Sequence, residues 1–150
     1  MPEPTLAPGR TGGGLAPGEL VIVSERTGAT HRICPAGELD LATSHRLERE
    51  LLGVEQTDAS GIDLDLGGLT FIDTAGIHVL CRAAARSRID GSRLRLRRGR
   101  PAVQRVLAIA GVDRTLPFAS FPRPVGVRGR GRGRGRGPTS QPGFVTEWTR

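Results

Sequence analysis

The chain has 150 residues, 37% of them hydrophobic and only 3% aromatic, with 22 basic residues, all arginine, against 15 acidic ones for a formal net charge of +7. Such a length suits one domain and argues against a second, and the lack of tyrosine weighs against a surface built to stack bases or sugars. Cys34 and Cys81, with only His31, His45 and His78 beside them, make neither a disulfide framework nor a four-ligand zinc site. No run reaches the roughly 18 apolar residues of a membrane span, and MPEPTLAPGRTGGG lacks the apolar stretch of a signal peptide, so a cytoplasmic setting without membrane contact is expected.

Glycine and proline concentrate at the ends, residues 1–18 and 122–150, where the chain cannot bury enough apolar surface to offset its entropy. Both ends are expected to be disordered arms around a foldable unit, residues 19–121. That unit carries 14 arginines against 13 acidic residues, so the excess charge belongs to the C-terminal tail.

In chain order, Glu19 to Arg26 (ELVIVSER) and Thr30 to Gly37 (THRICPAG) predict two strands joined as a hairpin through Thr27, Gly28 and Ala29. Pro35 cannot donate a ladder hydrogen bond and is expected at a strand end or sheet edge. Leu47, Leu51 and Val54 recur at helical spacing and predict a helix over 42–55, capped by Asp40 or Thr43. Ile62, Leu64 and Leu66 alternate with Asp63 and Asp65, predicting a strand with one face inward. Gly67 and Gly68 then make a turn, followed by a short apolar bridge.

Asp73 opens a helix running to about Ile89, with Ile77, Leu80, Cys81 and Ala84 on one face and Arg82 and Arg86 one turn apart on another. Residues 92–98 predict a strand whose Arg93, Arg95, Arg97 and Arg98 form a basic stripe, a solvated face or a patch for an acidic partner. Pro101 opens a helix that Gly111 ends, and Leu116 to Phe121 predicts a last strand. This alternation implies an α/β fold, a mixed sheet covered by helices.

The most informative stretch is Ile62 to Leu80, IDLDLGGLTFIDTAGIHVL. Locally, Asp73 is a favoured N-cap and Thr74 an ordinary first-turn residue. Yet a hydroxyl at a helix N-terminus sits beside unpaired amides, where a phosphoryl group is favoured by about 0.3–1 kcal/mol without unfolding the helix.

LDLGGLTFIDTAGIHVL, with AGELDLATSHRLERELL from Ala36 to Leu52 upstream and RPAVQRVLAIAGVDRTLPF from Arg100 to Phe118 downstream, resembles the STAS domain of bacterial anti-sigma factor antagonists. The resemblance implies a small regulator that binds an anti-sigma factor when unphosphorylated and so frees a sigma factor. It further implies that the partner is a serine/threonine kinase of the histidine-kinase-like ATPase fold and that a separate phosphatase resets the switch. Thr74 matches the phosphoacceptor, Asp73 the acidic residue before it and Gly76 the family glycine. Asp40, in GELD, matches a loop aspartate of the partner surface, which Asp40, Asp73, Thr74, Ala75 and Gly76 together would form. Many family members carry a second Ser after the acceptor. Ala75 stands there, so single phosphorylation is expected. The family usually ends in a helix packed on the sheet, where this chain runs into PRPVGVRGRGRGRGRGPTS.

That tail contains five Arg-Gly pairs at Arg128, Arg130, Arg132, Arg134 and Arg136. They suggest an alternative function, binding of RNA or an anionic surface, although no Phe or Tyr is interleaved for stacking. An enzyme is not expected. Asp63, Asp65 and Asp73 do not converge into a metal site, no nucleophile has a base beside it, and no cofactor is implied.

Overall fold

The computed structural model describes residues 14–91 and 93–120, so the predicted C-terminal arm, its Arg-Gly repeat and most of the N-terminal arm lie outside the described residues. The elements run β1 (Leu20–Thr27), β2 (Thr30–Leu39), α1 (Ser44–Glu55), β3 (Gly61–Asp65), β4 (Gly68–Ile72), α2 (Thr74–Ile89), β5 (Leu94–Arg97) and α3 (Pro101–Ile109).

β1 and β2 form the expected hairpin, tighter than predicted: Thr27 pairs with Thr30, which leaves a two-residue turn at Gly28 and Ala29. Gly28 takes φ +58°, the left-handed conformation such turns need. β3 pairs parallel with β2 and β5 parallel with β3, giving the order β1-β2-β3-β5. The predicted apolar bridge after Gly68 is instead a strand. β4 lies parallel to the C-terminal half of β2, Ala36↔Gly68 through Leu39↔Ile72, with an irregularity at Gly37/Glu38.

Pro35 is the second correction. It sits inside β2, a central strand, with Ile22 opposite it. The position tolerates proline because β2 changes partner there: its pairing with β3 ends at Ile33↔Leu64 and that with β4 begins at Ala36↔Gly68. Glu38 donates to Glu19 of β1, so even-numbered residues of β2 direct their amides to β1 and Pro35 faces the gap on the other side, where no donor is required.

One face of the sheet supplies Leu20, Ile33, Leu39, Ile62, Leu64, Leu69 and Leu96 to a single core. α1 adds Leu47, Leu51 and Val54, the predicted stripe, and α3 adds Val103 and Leu107. α2 buries Ile77, Leu80 and Ala84 as expected, together with Val79 and Ala83, while Cys81 is only half-buried. Each fully buried leucine contributes about 1.5–3 kcal/mol, so this cluster is the main force holding helices to sheet. Across the helix surface Arg86 clamps Glu55 at 2.8 Å and Glu48 at 2.9 Å, and Arg82 reaches Glu48 at 2.7 Å, tying α2 to α1.

The opposite face departs from the simple alternation expected of β3. Asp63 is 4% exposed and pairs with Arg95 at 2.7 Å, while Asp65 pairs with Arg32 at 2.9 Å and Arg97 at 3.4 Å. Burial pushes the Asp63 carboxyl up from the usual range against the opposing pull of Arg95. The predicted basic stripe is thereby largely neutralised within the sheet, and Arg93 donates to the carbonyls of Glu55, Thr57 and Ala59. The predicted last strand reduces, among the described residues, to one parallel bridge, Leu96↔Phe118.

Candidate functional site

The parallel pairing of Leu39 with Ile72 brings two aspartates to neighbouring positions, because Asp40 and Asp73 each follow a member of that pair. Adjacent strands lie about 4.8 Å apart, so the 40–43 loop and the start of α2 emerge side by side at the same end of the sheet.

Asp73 is the N-cap of α2 with extended backbone (φ −113°, ψ −173°). Both of its carboxylate oxygens are committed. Oδ1 accepts the Gly76 amide at 3.1 Å, the ordinary cap, and Oδ2 accepts the Leu41 amide from the loop after β2 at 3.1 Å. The Asp73 amide in turn donates to the Leu39 carbonyl at 3.2 Å. Asp73 is therefore a two-way tie between loop and helix.

Asp40 closes the loop from the other side. Its Oδ1 accepts the amides of Ala42 at 2.9 Å and Thr43 at 3.0 Å, an aspartate turn leading into α1. Thr43 is the N-cap residue of α1 but makes no side-chain cap bond; its hydroxyl donates to the Glu38 carbonyl at 2.7 Å and accepts the Asp40 amide at 3.0 Å. Of the two predicted caps, Asp40 orders the lead-in turn while Thr43 locks the loop to β2.

Gly76 is glycine for a packing reason. A Cβ there would lie 2.7 Å from the Leu39 carbonyl oxygen and 2.8 Å from side-chain carbons of Leu39 and Ile72, so the first turn of α2 rests directly on the end of β2. Gly37, at φ +107°, is required more strictly, since a Cβ would come within 2.2 Å of the Glu19 carbonyl oxygen.

On this scaffold Thr74 is the first residue of α2 and is exposed, and its hydroxyl makes no hydrogen bond among the described residues. Ala75 beside it is half-buried, Gly76 buried and His78 exposed. Of the five residues expected to act together, Thr74 is presented to solvent, whereas Asp40, Asp73 and Gly76 shape its support.

Leu41 was not among the residues the sequence singled out. It is 80% exposed next to the Asp73 clamp, and its only sequence signal is an apolar residue outside the stripe of α1. Among the described residues no group of three or more His, Cys, Asp or Glu converges as a metal site, and no helix is long and apolar enough to cross a membrane.

A family model described as "Mlab, STAS domain" matches residues 22–118. No curated protein matches the chain significantly. Among solved structures, an anti-sigma factor antagonist from Mycobacterium paratuberculosis is similar at 21% identity and TM-score 0.60, covering 71% of this chain and 90% of that one. The anti-sigma factor antagonist SpoIIAA in its unphosphorylated form is similar at 20% identity and TM-score 0.56, covering 67% and 89%. The Bacillus cell fate determinant SpoIIAA in the phosphorylated form is similar at 20% identity and TM-score 0.52, covering 67% and 92%.

Proposed function

The chain belongs to the STAS domain family, and within it we propose that the protein is an anti-sigma factor antagonist switched by phosphorylation of Thr74. Unphosphorylated, it binds an anti-sigma factor and so releases a sigma factor. Phosphorylation by that partner, a kinase of the histidine-kinase-like ATPase fold, ends the binding, and a phosphatase restores it. In this reading the protein is the substrate of an enzyme rather than an enzyme, and it works in the cytoplasm.

The observation that carries the reading is the exposed Thr74 hydroxyl on a helix start held rigid by Asp73 and the 40–43 loop. A phosphoryl group adds about −1.5 to −2 charge. Placed next to the Asp73 carboxylate and close to Asp40, it sets a concentrated negative charge at the centre of the surface that Asp40, Asp73, Thr74, Ala75 and Gly76 would offer. A partner fitted to the neutral hydroxyl then meets charge and desolvation cost, and each 1.4 kcal/mol lowers affinity about tenfold. The solved neighbours named as anti-sigma factor antagonists, one of them in a phosphorylated form, support the same reading.

The test is phosphorylation by the cognate anti-sigma kinase with ATP, read by mass spectrometry of the peptide containing Thr74. Label should fall on Thr74 and vanish in Thr74→Ala, and Thr74→Glu should bind the kinase at least tenfold more weakly. Undiminished labelling of Thr74→Ala sinks the assignment.

A further inference from the structure

Away from Thr74, residues 34–36 of β2, the Gly67–Gly68 turn, the loop 97–100 and residues 118–120 line a groove of about 850 Å³. That volume lies within the range of small-molecule sites, about 300–1,000 Å³. Its charge is one-sided. Asp65 is the single acidic residue in the lining, and it is already occupied: Oδ1 accepts the Gly67 amide at 2.9 Å, and Oδ2 lies 2.9 Å from Arg32 and 3.4 Å from Arg97. Arg98 and Arg100 line the same groove and form no ion pair among the described residues. Arg98 lies with its guanidinium carbon 4.6 Å from the centre of the Phe118 ring, and Arg100 uses only its Nε, toward the Gly67 carbonyl at 3.4 Å.

Two guanidiniums therefore bring their remaining donors to one groove without an internal counter-charge. Phosphate is the group their planar forks match, through paired N–H···O bonds. The rest of the lining is uncharged: Ala36 and Phe118 supply apolar side chains, Cys34 and Ser120 a thiol and a hydroxyl, and Gly68 and Gly99 bare backbone, while Pro35 is itself buried. The glycines are fixed by packing, because a Cβ at Gly68 would lie 2.8 Å from the Pro35 carbonyl oxygen and one at Gly99 3.0 Å from that of Leu66.

We propose that this groove binds a small phosphate monoester, with Arg98 and Arg100 on the phosphate and Ala36 and Phe118 against the organic body. The site stands apart from the Thr74 surface and does not rest on the antagonist reading.

The test is an NMR titration of the full chain, ¹⁵N-labelled and at about 0.15 M salt, with AMP, inorganic phosphate and adenosine in separate arms. AMP should shift the Gly67, Gly68 and Gly99 amides saturably, phosphate should shift the same amides more weakly, and adenosine should leave them in place. The double variant Arg98→Gln/Arg100→Gln should raise the AMP dissociation constant at least tenfold. Both side chains are exposed, so the rest of the spectrum should be preserved. Binding to the arginines of the tail would survive that variant, which separates the two sources of positive charge. The proposal is overturned by an unchanged constant in the double variant, by no shift with either phosphate compound, or by adenosine binding as well as AMP. Phosphate binding as tightly as AMP overturns the ester reading by removing any role for the organic body.

Discussion

Asp73 accepts the backbone N–H of Leu41, 32 positions earlier in the chain, at 3.1 Å while capping its own helix through Gly76. This pair of bonds makes the loop after β2 and the start of α2 one mechanical unit beneath Thr74. Asn in place of Asp73 can keep the cap, because asparagine is as good an N-cap as aspartate, but its amide NH₂ would then confront the Leu41 N–H. Asp73→Asn should therefore fold normally and lose hydrogen-exchange protection at Leu41. Asp73→Ala should lose the cap as well and cost about 1–2 kcal/mol in urea unfolding. Retained protection at Leu41 in the Asn variant would show that the bond does not order the loop.

Two helical glycines should respond to alanine with opposite signs. Alanine is favoured over glycine by about 1 kcal/mol in a helix interior. Nothing lies within 4 Å of a Cβ built at Gly53 in α1, so Gly53→Ala should stabilise by up to about that amount. At Gly76 the new methyl meets a carbonyl oxygen at 2.7 Å, and overpacking of about 1–3 kcal/mol outweighs the helix preference. Gly76→Ala should thus destabilise, which urea midpoints at an unchanged slope would read directly.

Thr74 offers a third contrast. Its exposed hydroxyl has no protein partner among the described residues, so Thr74→Ala and Thr74→Glu should each leave stability within about 0.5 kcal/mol of the parent. A larger loss in thermal unfolding would mean that altered partner binding by these variants reports folding rather than the switch.

The elements that the sequence announced are those whose signal is periodic and local. Leu47, Leu51 and Val54 lie on one helical stripe whatever surrounds them, and Asp73 reads as a cap from its immediate neighbours. β4 escaped because it is five residues long and its Thr70 and Phe71 are both exposed beside the Gly37/Glu38 irregularity, which breaks the alternation. Pro35 was misplaced because its tolerance depends on where β2 changes partner, a property of the sheet. Asp63 reads as a solvated charge until Arg95, 32 residues later, is laid across it. Likewise Thr74, the proposed acceptor, is legible as a motif, whereas the Leu41 tie beside it is a long-range bond with no local pattern.

The Arg82–Glu48–Arg86–Glu55 bridge between α1 and α2 sets an acid limit to stability. Burial raises the Glu48 carboxyl, but the guanidiniums of Arg82 and Arg86 outweigh it and hold the group below the usual glutamate range. A carboxyl with a depressed folded pKa binds fewer protons in the folded chain than in the unfolded one. Its contribution is therefore complete above the unfolded value, about 4.3, and is lost as pH falls through the folded value. Asp63 acts in the opposite sense, since its raised carboxyl favours the folded chain less as pH climbs through its own range. Glu48→Gln removes the first effect and leaves the second. The parent should lose more melting temperature than Glu48→Gln between pH 5 and pH 3, with little change in their difference above pH 6. Parallel melting curves across the acid range would show that the bridge holds the helices together without taking part in acid unfolding.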